Sequence, residues 1–278
     1  MSILACMCNQ PQRLAEALFP VRPSLVAPGP IARWGMGYVH GGEVLLSRTP
    51  RSAAADGTDP LDFFPAIEPI KSDCLIGHVA GSGAGSGSPT PATSDDVNVP
   101  TEATQPFRFR RWMLAQDGAA LVEADVWQQL ADRVPDFLRR NLRGRAAAEL
   151  TLHVLMAMLH DQGMLDDANL PSTVARRALA DTLALFASTL TRTGASWRPG
   201  TVAASNSRAL WVARPEVSGA PIFVRRLHVL DDRGHRDDSF RGVLITSGFP
   251  PGEGAEEVPA GSVVAVSRDL RVDISPLI

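Results

Sequence analysis

The first nine residues, Met1-Ser-Ile-Leu-Ala-Cys-Met-Cys-Asn9, constrain this chain more than any other stretch. They pass straight from the start into an apolar run. Chain ends usually fray unless something ties them down, so an apolar beginning predicts a buried strand. A period of two puts Ser2, Leu4, Cys6 and Cys8 on one face and Ile3, Ala5 and Met7 on the other. Ser2 is small enough for Met1 to be removed, which would leave a serine with a free α-amine. Such an amine titrates near ~8 and can act as the base for its own hydroxyl. An N-terminal nucleophile is therefore one chemistry open to this sequence.

Composition narrows the class. At 278 residues, with 45% hydrophobic and 21% charged residues, the chain is long enough for a substantial core and is read as one domain over 1–278. The net charge of −3 argues against nucleic acid as a partner. Lys71 is the only lysine, so arginine supplies nearly all the positive charge. Three cysteines, an odd number, fit a reducing cytoplasm. Cys6-x-Cys8 finds no second Cys or Cys/His pair at ligand spacing, so both thiols are expected to pack in the core, with no metal and no cofactor. No apolar run reaches membrane-spanning length, and the start lacks the basic residues and cleavage site of a signal peptide.

Further along, Arg13–Phe19 reads as a short helix. Arg33–Val39 and Glu43–Arg48 read as a hairpin around Gly41-Gly42. Leu75–Val79 is a short strand, and Ala80–Thr93, with ten of its fourteen residues Gly, Ser or Ala, is expected to be a mobile loop at the mouth of a cavity. Phe107–Arg110 alternates as a strand with a solvated arginine face. The middle is helical: 125–142, capped by Asp125 and divided or kinked at Pro135, then 146–160 and 172–191. These helices are expected to cover faces of the two sheets. His153 and His160 are read as a boundary residue and a C-terminal cap. Strands then follow at Val202–Ala213, Pro221–Leu227, Arg241–Ser247, Ser262–Ser267 and Leu270–Ile274. Strands, helices, then strands indicate α+β.

Several segments in this order resemble a known family: Met1–Asn9, Trp34-Gly-Met-Gly-Tyr38, Ile76-Gly-His-Val79, Thr104-Gln-Pro-Phe107, Gln116-Asp-Gly118, Glu149 on its helix and the Val258-Pro-x-Gly261 turn. The chain resembles class II glutamine amidotransferase domains of the small single-domain bacterial kind, similar to the amidohydrolase of ergothioneine biosynthesis. The resemblance implies the N-terminal-nucleophile hydrolase fold, a four-layer αββα sandwich of two antiparallel sheets.

It also implies a pocket, and there this sequence departs. Where the family has a nucleophilic cysteine, Ser2 stands. The arginine that holds the glutamine carboxylate is Ala80. The asparagine of the oxyanion hole is Asp117, beside a retained Gly118. The aspartate for the substrate ammonium is Ala147, and an asparagine before Gln-Pro-Phe is Ala103. Losing one oxyanion donor costs roughly 100–1000-fold in rate, and an ionised Asp117 would repel the developing charge. Ala80 removes a bidentate clamp, and both charged ends of glutamine would enter unpaired. The expectation is a chain without glutaminase chemistry that serves as a binding or partner subunit, its protein partner and small-molecule ligand unnamed by the sequence. Two alternatives stay open: an active N-terminal serine amidase on a non-glutamine substrate, using Ser2 and Gly118, and a glutamine amidotransferase with a rebuilt pocket.

Overall fold

The computed structural model describes residues 1–28, 31–49, 61–81, 101–195, 197–216, 220–231 and 233–277. Among them the strands are β1 (Ser2–Cys8), β2 (Val26–Ala27), β3 (Ile31–His40), β4 (Glu43–Thr49), β5 (Leu61–Asp62), β6 (Cys74–Gly81), β7 (Phe107–Phe109) and β8 (Trp112–Gln116). After the helices come β9 (Val202–Ser205), β10 (Leu210–Arg214), β11 (Ile222–Leu227), β12 (Gly242–Ser247), β13 (Glu256–Val258), β14 (Ser262–Val266) and β15 (Val272–Pro276). The helices are α1 (Leu14–Leu18), α2 (Phe64–Ile67), α3 (Ala124–Ala131), α4 (Asp136–Arg139), α5 (Ala147–Asp161) and α6 (Ser172–Thr193).

Two antiparallel sheets carry the fold. One runs β13-β11-β12-β1-β6-β3-β4 and the other β15-β14-β10-β9-β8-β7. The apolar start does become a central strand, paired with β12 on one side and β6 on the other. Its two faces feed two cores, as the period of two requires. Ile3, Ala5 and Met7 pack between the sheets with Ile76, Ile245, Met113, Ala115 and Val212. Leu4, Cys6 and Cys8 pack outward with Leu14, Leu18, Phe63 and Ile67. All three cysteines are buried and unbridged.

A third core lies beneath the helices. Val126 and Leu130 of α3, Leu152 and Leu155 of α5, and Leu179, Leu183 and Phe186 of α6 pack on Trp112, Leu114, Val202 and Trp211. The layers are thus helix, sheet, sheet and a thin helical layer, an αββα sandwich. The expectation that the long helices would cover faces of both sheets needs correcting. Those of 124–193 gather on the six-stranded sheet, while short α1 and α2 cover the other. The reason is the supply of apolar stripes: Phe63 reaches the sheet at Gly77, where a Cβ would stand 2.9 Å from its ring. A bare glycine lets that ring lie directly on the backbone, so a short element suffices there.

Other boundaries differ for local reasons. Val202–Ala213 is two strands, because the Asn206 side chain accepts the Arg208 and Ala209 N–H groups (3.0 and 2.9 Å) and turns the chain. Pro135 divides the first helical segment into α3 and α4, and Glu123, not Asp125, stands at the N-cap position. His153 is buried within α5, its Nδ1 2.8 Å from the Glu149 carbonyl, and is no boundary residue. His160 packs edge-on against Phe137 in the last turn of α5. The loop expected to begin at Ala80 begins later: Ala80 and Gly81 are the last residues of β6, held there by pairing with Arg33 and Ile31, and residues 82–93 lie outside the described residues.

Candidate functional site

The site is built where β1 and β6 begin and end together, at one edge of the space between the sheets. Register places Ser2 opposite Val79 and Ile3 opposite His78. His78 is in turn opposite Gly35, and Gly35 opposite Arg48. Cross-strand partners share a face, so Ile3, His78 and Arg48 all look toward the second sheet. Ala80, two residues on from His78, shares that face and is buried. Ser2 does not. It aligns with Val79 and Leu4 on the outer face, and its hydroxyl donates to the Gly248 carbonyl at 2.9 Å. Ser2 and Ala80 are therefore close neighbours that leave the sheet in opposite directions.

The second sheet brings Asp117 and Gly118. Met113 and Ala115 of β8 face inward, and pairing continues past the strand: Asp117 N–H donates to Thr201 O (2.8 Å) and Gly200 N–H to Asp117 O (2.9 Å). Asp117 thus keeps the inward direction. Its carboxylate accepts the Gly118 N–H at 2.9 Å. Gly118 has φ +123° and a Cβ there would stand 3.2 Å from Arg198 O, so this tight left-handed position suits glycine. Burial raises the Asp117 carboxyl above the ordinary range, opposed by the positive α-amino group of Met1 and by the Gly118 N–H. The charge of that same α-amino group also bears on His78.

His78 is held neutral. Burial chiefly, then the positive charges of Met1 and Arg33, push it down to about 3, against a hydrogen bond to the Gln116 backbone. Its Nε2 has no hydrogen-bond partner among the described residues, and the same is true of the buried Gln116 side-chain amide.

Gln105 fixes this turn, a role the sequence did not reveal. Its Oε1 accepts Gln116 N–H (2.7 Å) and its Nε2 donates to Gln116 O (3.0 Å), so a side chain completes a backbone pairing. Arg48 Nη2 donates to the Pro106 carbonyl next door and its guanidinium lies 5.1 Å from the Phe107 ring centroid. Gly35 makes the approach possible, since a Cβ there would lie 2.2 Å from Gln105 O. The Gln-Pro-Phe segment and the Trp-Gly-Met-Gly strand were visible as motifs, but their mutual contact was not.

Ala147 opens α5, is buried, and donates its N–H to Ala120 O (3.0 Å), just beyond the Asp117–Gly118 turn. Glu149 is also buried and accepts the Arg143 and Gly144 N–H groups (3.2 Å each). Gly248 was likewise missed: with φ +72° and a would-be Cβ 2.3 Å from Met1 O, it lets the turn after β12 close over the chain start.

Among the described residues, no group of three or more His, Cys, Asp or Glu side chains is placed to hold a metal ion, and no helix is long and apolar enough to cross a membrane. A recess of about 320 Å³ between α6 and the final strand, lined by Arg176, Ala180, Ala184 and Leu277 among others, shares no residue with this site.

Comparison with solved structures supports the fold. A glutamine aminotransferase class-II domain protein from Silicibacter pomeroyi superposes with a TM-score of 0.60 at 13% identity, over 100% of both chains. A predicted glutamine amidotransferase from Pseudomonas aeruginosa gives 0.57 at 14%, over 98% of this chain and 99% of that one. Glutamine phosphoribosylpyrophosphate amidotransferase from B. subtilis gives 0.54 at 12%; this chain spans 49% of it. No protein-family model and no curated protein matches the sequence. The chain therefore has the fold of class II glutamine amidotransferase domains, the N-terminal-nucleophile hydrolase sandwich. At such identities the likeness is one of fold.

Proposed function

We propose that this chain is a glutamine amidotransferase-like protein without glutaminase chemistry, working as a binding or partner subunit. One observation carries the reading: the Asp117 carboxylate sits on the Gly118 N–H at 2.9 Å. A backbone donor serves an oxyanion only when it is open to the developing charge. Here the donor is already taken, and by a negative group. Ala80 and Ala147, both buried, offer no polar atom to either end of a glutamine. Ser2 remains a hydroxyl whose proton is directed to Gly248 O.

The test is ammonia release from glutamine. Background rates are expected for the native protein and for Ser2→Cys, because the nucleophile alone restores neither orientation nor the oxyanion donor. The combination Ser2→Cys, Ala80→Arg, Asp117→Asn and Ala147→Asp is the fair attempt at restoration, since effects within one catalytic unit are far from additive. Saturable native turnover that Ser2→Ala abolishes would overturn the proposal in favour of a rebuilt glutaminase. Silence with glutamine but turnover of acylated amines or esters would favour an N-terminal serine amidase.

A further inference from the structure

The charge of this chain is unevenly spread. From Asp132 to Arg145, five arginines (Arg133, Arg139, Arg140, Arg143 and Arg145) stand against two aspartates, a local +3 in a chain whose net charge is −3. All five are exposed. Among the described residues Arg139 is the one of them with an ion-pair partner, and it takes both Asp132 and Asp136. Arg143 lies within electrostatic reach of Glu149, whose buried carboxyl is already occupied by the Arg143 and Gly144 N–H groups. Arg139 to Arg145 is six residue steps, at most about 20 Å, and Asn141 N–H to Leu138 O and Leu142 N–H to Arg139 O fold it tighter. The turn is firmly held. Trp127 Nε1 donates to Gly144 O (3.0 Å) and Val122 N–H to Arg145 O (2.9 Å). The guanidiniums therefore start from a pre-organised backbone, which lowers the cost of engaging them. Phe137, 36% exposed, and half-buried Trp127 belong to the same segment and its anchor. Arginine and aromatic side chains are those enriched where proteins meet.

We propose that the turn between α4 and α5 docks an acidic segment of a protein partner, its carboxylates on Arg140, Arg143 and Arg145. The inference rests on the partner-subunit reading above and names the chemistry of the partner. Charge decides the sign of the occupant, and the planar guanidinium fork suits carboxylates. Extent decides its class. Screening confines the field of each arginine to about 8 Å at physiological salt, so a short acidic segment meets the patch alone. Nucleic acid or an anionic membrane runs past it and meets the rest of the chain, which carries −6 once the +3 of this segment is taken from the total of −3. α4 is a single turn of four residues, too short to lie in a membrane interface as an amphipathic helix. Arg145 O bonds Val122 N–H and Ala147 N–H bonds Ala120 O, so the docked segment lies beside the turn at Asp117–Gly118.

Fluorescence anisotropy on the intact chain tests this with labelled hexaglutamate, hexaglutamine and single-stranded hexauridylate, and co-sedimentation does so with phosphatidylserine vesicles. Hexaglutamate should bind saturably at low salt, hexaglutamine should not, and raising salt to about 0.5 M should abolish the difference. The triple change Arg140→Glu, Arg143→Glu and Arg145→Glu should weaken hexaglutamate by about ten-fold or more, the worth of three exposed ion pairs. Glutamine at the same three positions should act in the same direction and serves if the glutamates do not fold. Arg233→Glu with Arg236→Glu, exposed and outside the patch, should leave binding within about two-fold, beyond screening range. No hexaglutamate binding, undiminished binding by a folded triple variant, or an equal loss in the Arg233 and Arg236 control overturns the proposal. So does tighter binding of hexauridylate or vesicles through the same arginines, which would assign the surface to another class of partner. Ammonia release from glutamine would overturn the loss of glutaminase chemistry and leave this surface standing. Failure of hexaglutamate to bind leaves that loss standing, so the two failures are distinguishable.

Discussion

The middle of β1 and its first residue obey different rules. From Ile3 to Cys8 every side chain is buried in one of two apolar cores, and both neighbouring strands keep register throughout. At Ser2 and around it the environment is polar and crowded with backbone: a hydroxyl on a carbonyl, a carboxylate on an N–H, a neutral imidazole, and glycines at 35, 118 and 248. The interior is a packing problem, tolerant of any residue of suitable size and polarity. The mouth is a problem of close approach, where one Cβ or one charge decides the geometry. The two-sheet scaffold can therefore stand intact while single residues at its edge, such as Ala80, Asp117 and Ala147, are free to differ.

Five substitutions sharpen or break that contrast. Leu4→Ala should cost most, about 3–5 kcal/mol by denaturant unfolding, since it opens a cavity in a fully buried face. A cost below about 1 kcal/mol would mean that the start of the chain is not a core strand. Gly35→Ala should follow at roughly 2–3 kcal/mol, because its methyl would strike the Gln105 carbonyl. The expected sign of a local effect is a shift in the Gln105 and Gln116 amide resonances larger than any in the helices. Gln105→Leu should cost about 1–3 kcal/mol by leaving the Gln116 N–H and C=O without that partner. If it is neutral, the side-chain clamp does not hold the turn.

The smallest effect is one of pH. The folded-state value of His78 lies near 3 against an ordinary 6.5. Between those values the unfolded chain binds more protons, so stability rises with pH across that window and is lost as pH falls through it. Asp117, raised in the folded state, acts in the opposite sense: its contribution is present below the ordinary carboxylate range and lost as pH rises through the raised value. His78→Gln should flatten the acid limb of the stability curve, and Asp117→Asn should make the curve steeper on the same side of neutrality. Unchanged curves for both variants would show that neither group is buried as described.

Much of the scaffold was legible because it follows from periodicity. The alternation in Ser2–Cys8 named its two faces, the glycine pair at 41–42 marked a hairpin, and the apolar stripes of 146–160 and 172–191 marked helices. Local polar competition was harder to see, and the turn made by Asn206 split what looked like one strand. The site was legible only by likeness of motif, which proposed Ser2, Ala80, Asp117, Gly118 and Ala147 without saying how they face.

By itself, then, the sequence determined the burial of the chain's first strand and, through likeness of motif, the class of fold. These depend on residue type and short-range spacing, which one chain displays in full. Only the tertiary structure decided that Ser2 and Ala80 point to opposite faces, that Asp117 occupies its neighbour's N–H, and that Arg33 stands beside Ala80. It also decided that Gln105 completes the Gln116 backbone through a space left by Gly35. Each of those depends on the register between strands far apart in the chain, set by the summed packing of two sheets rather than by any local preference.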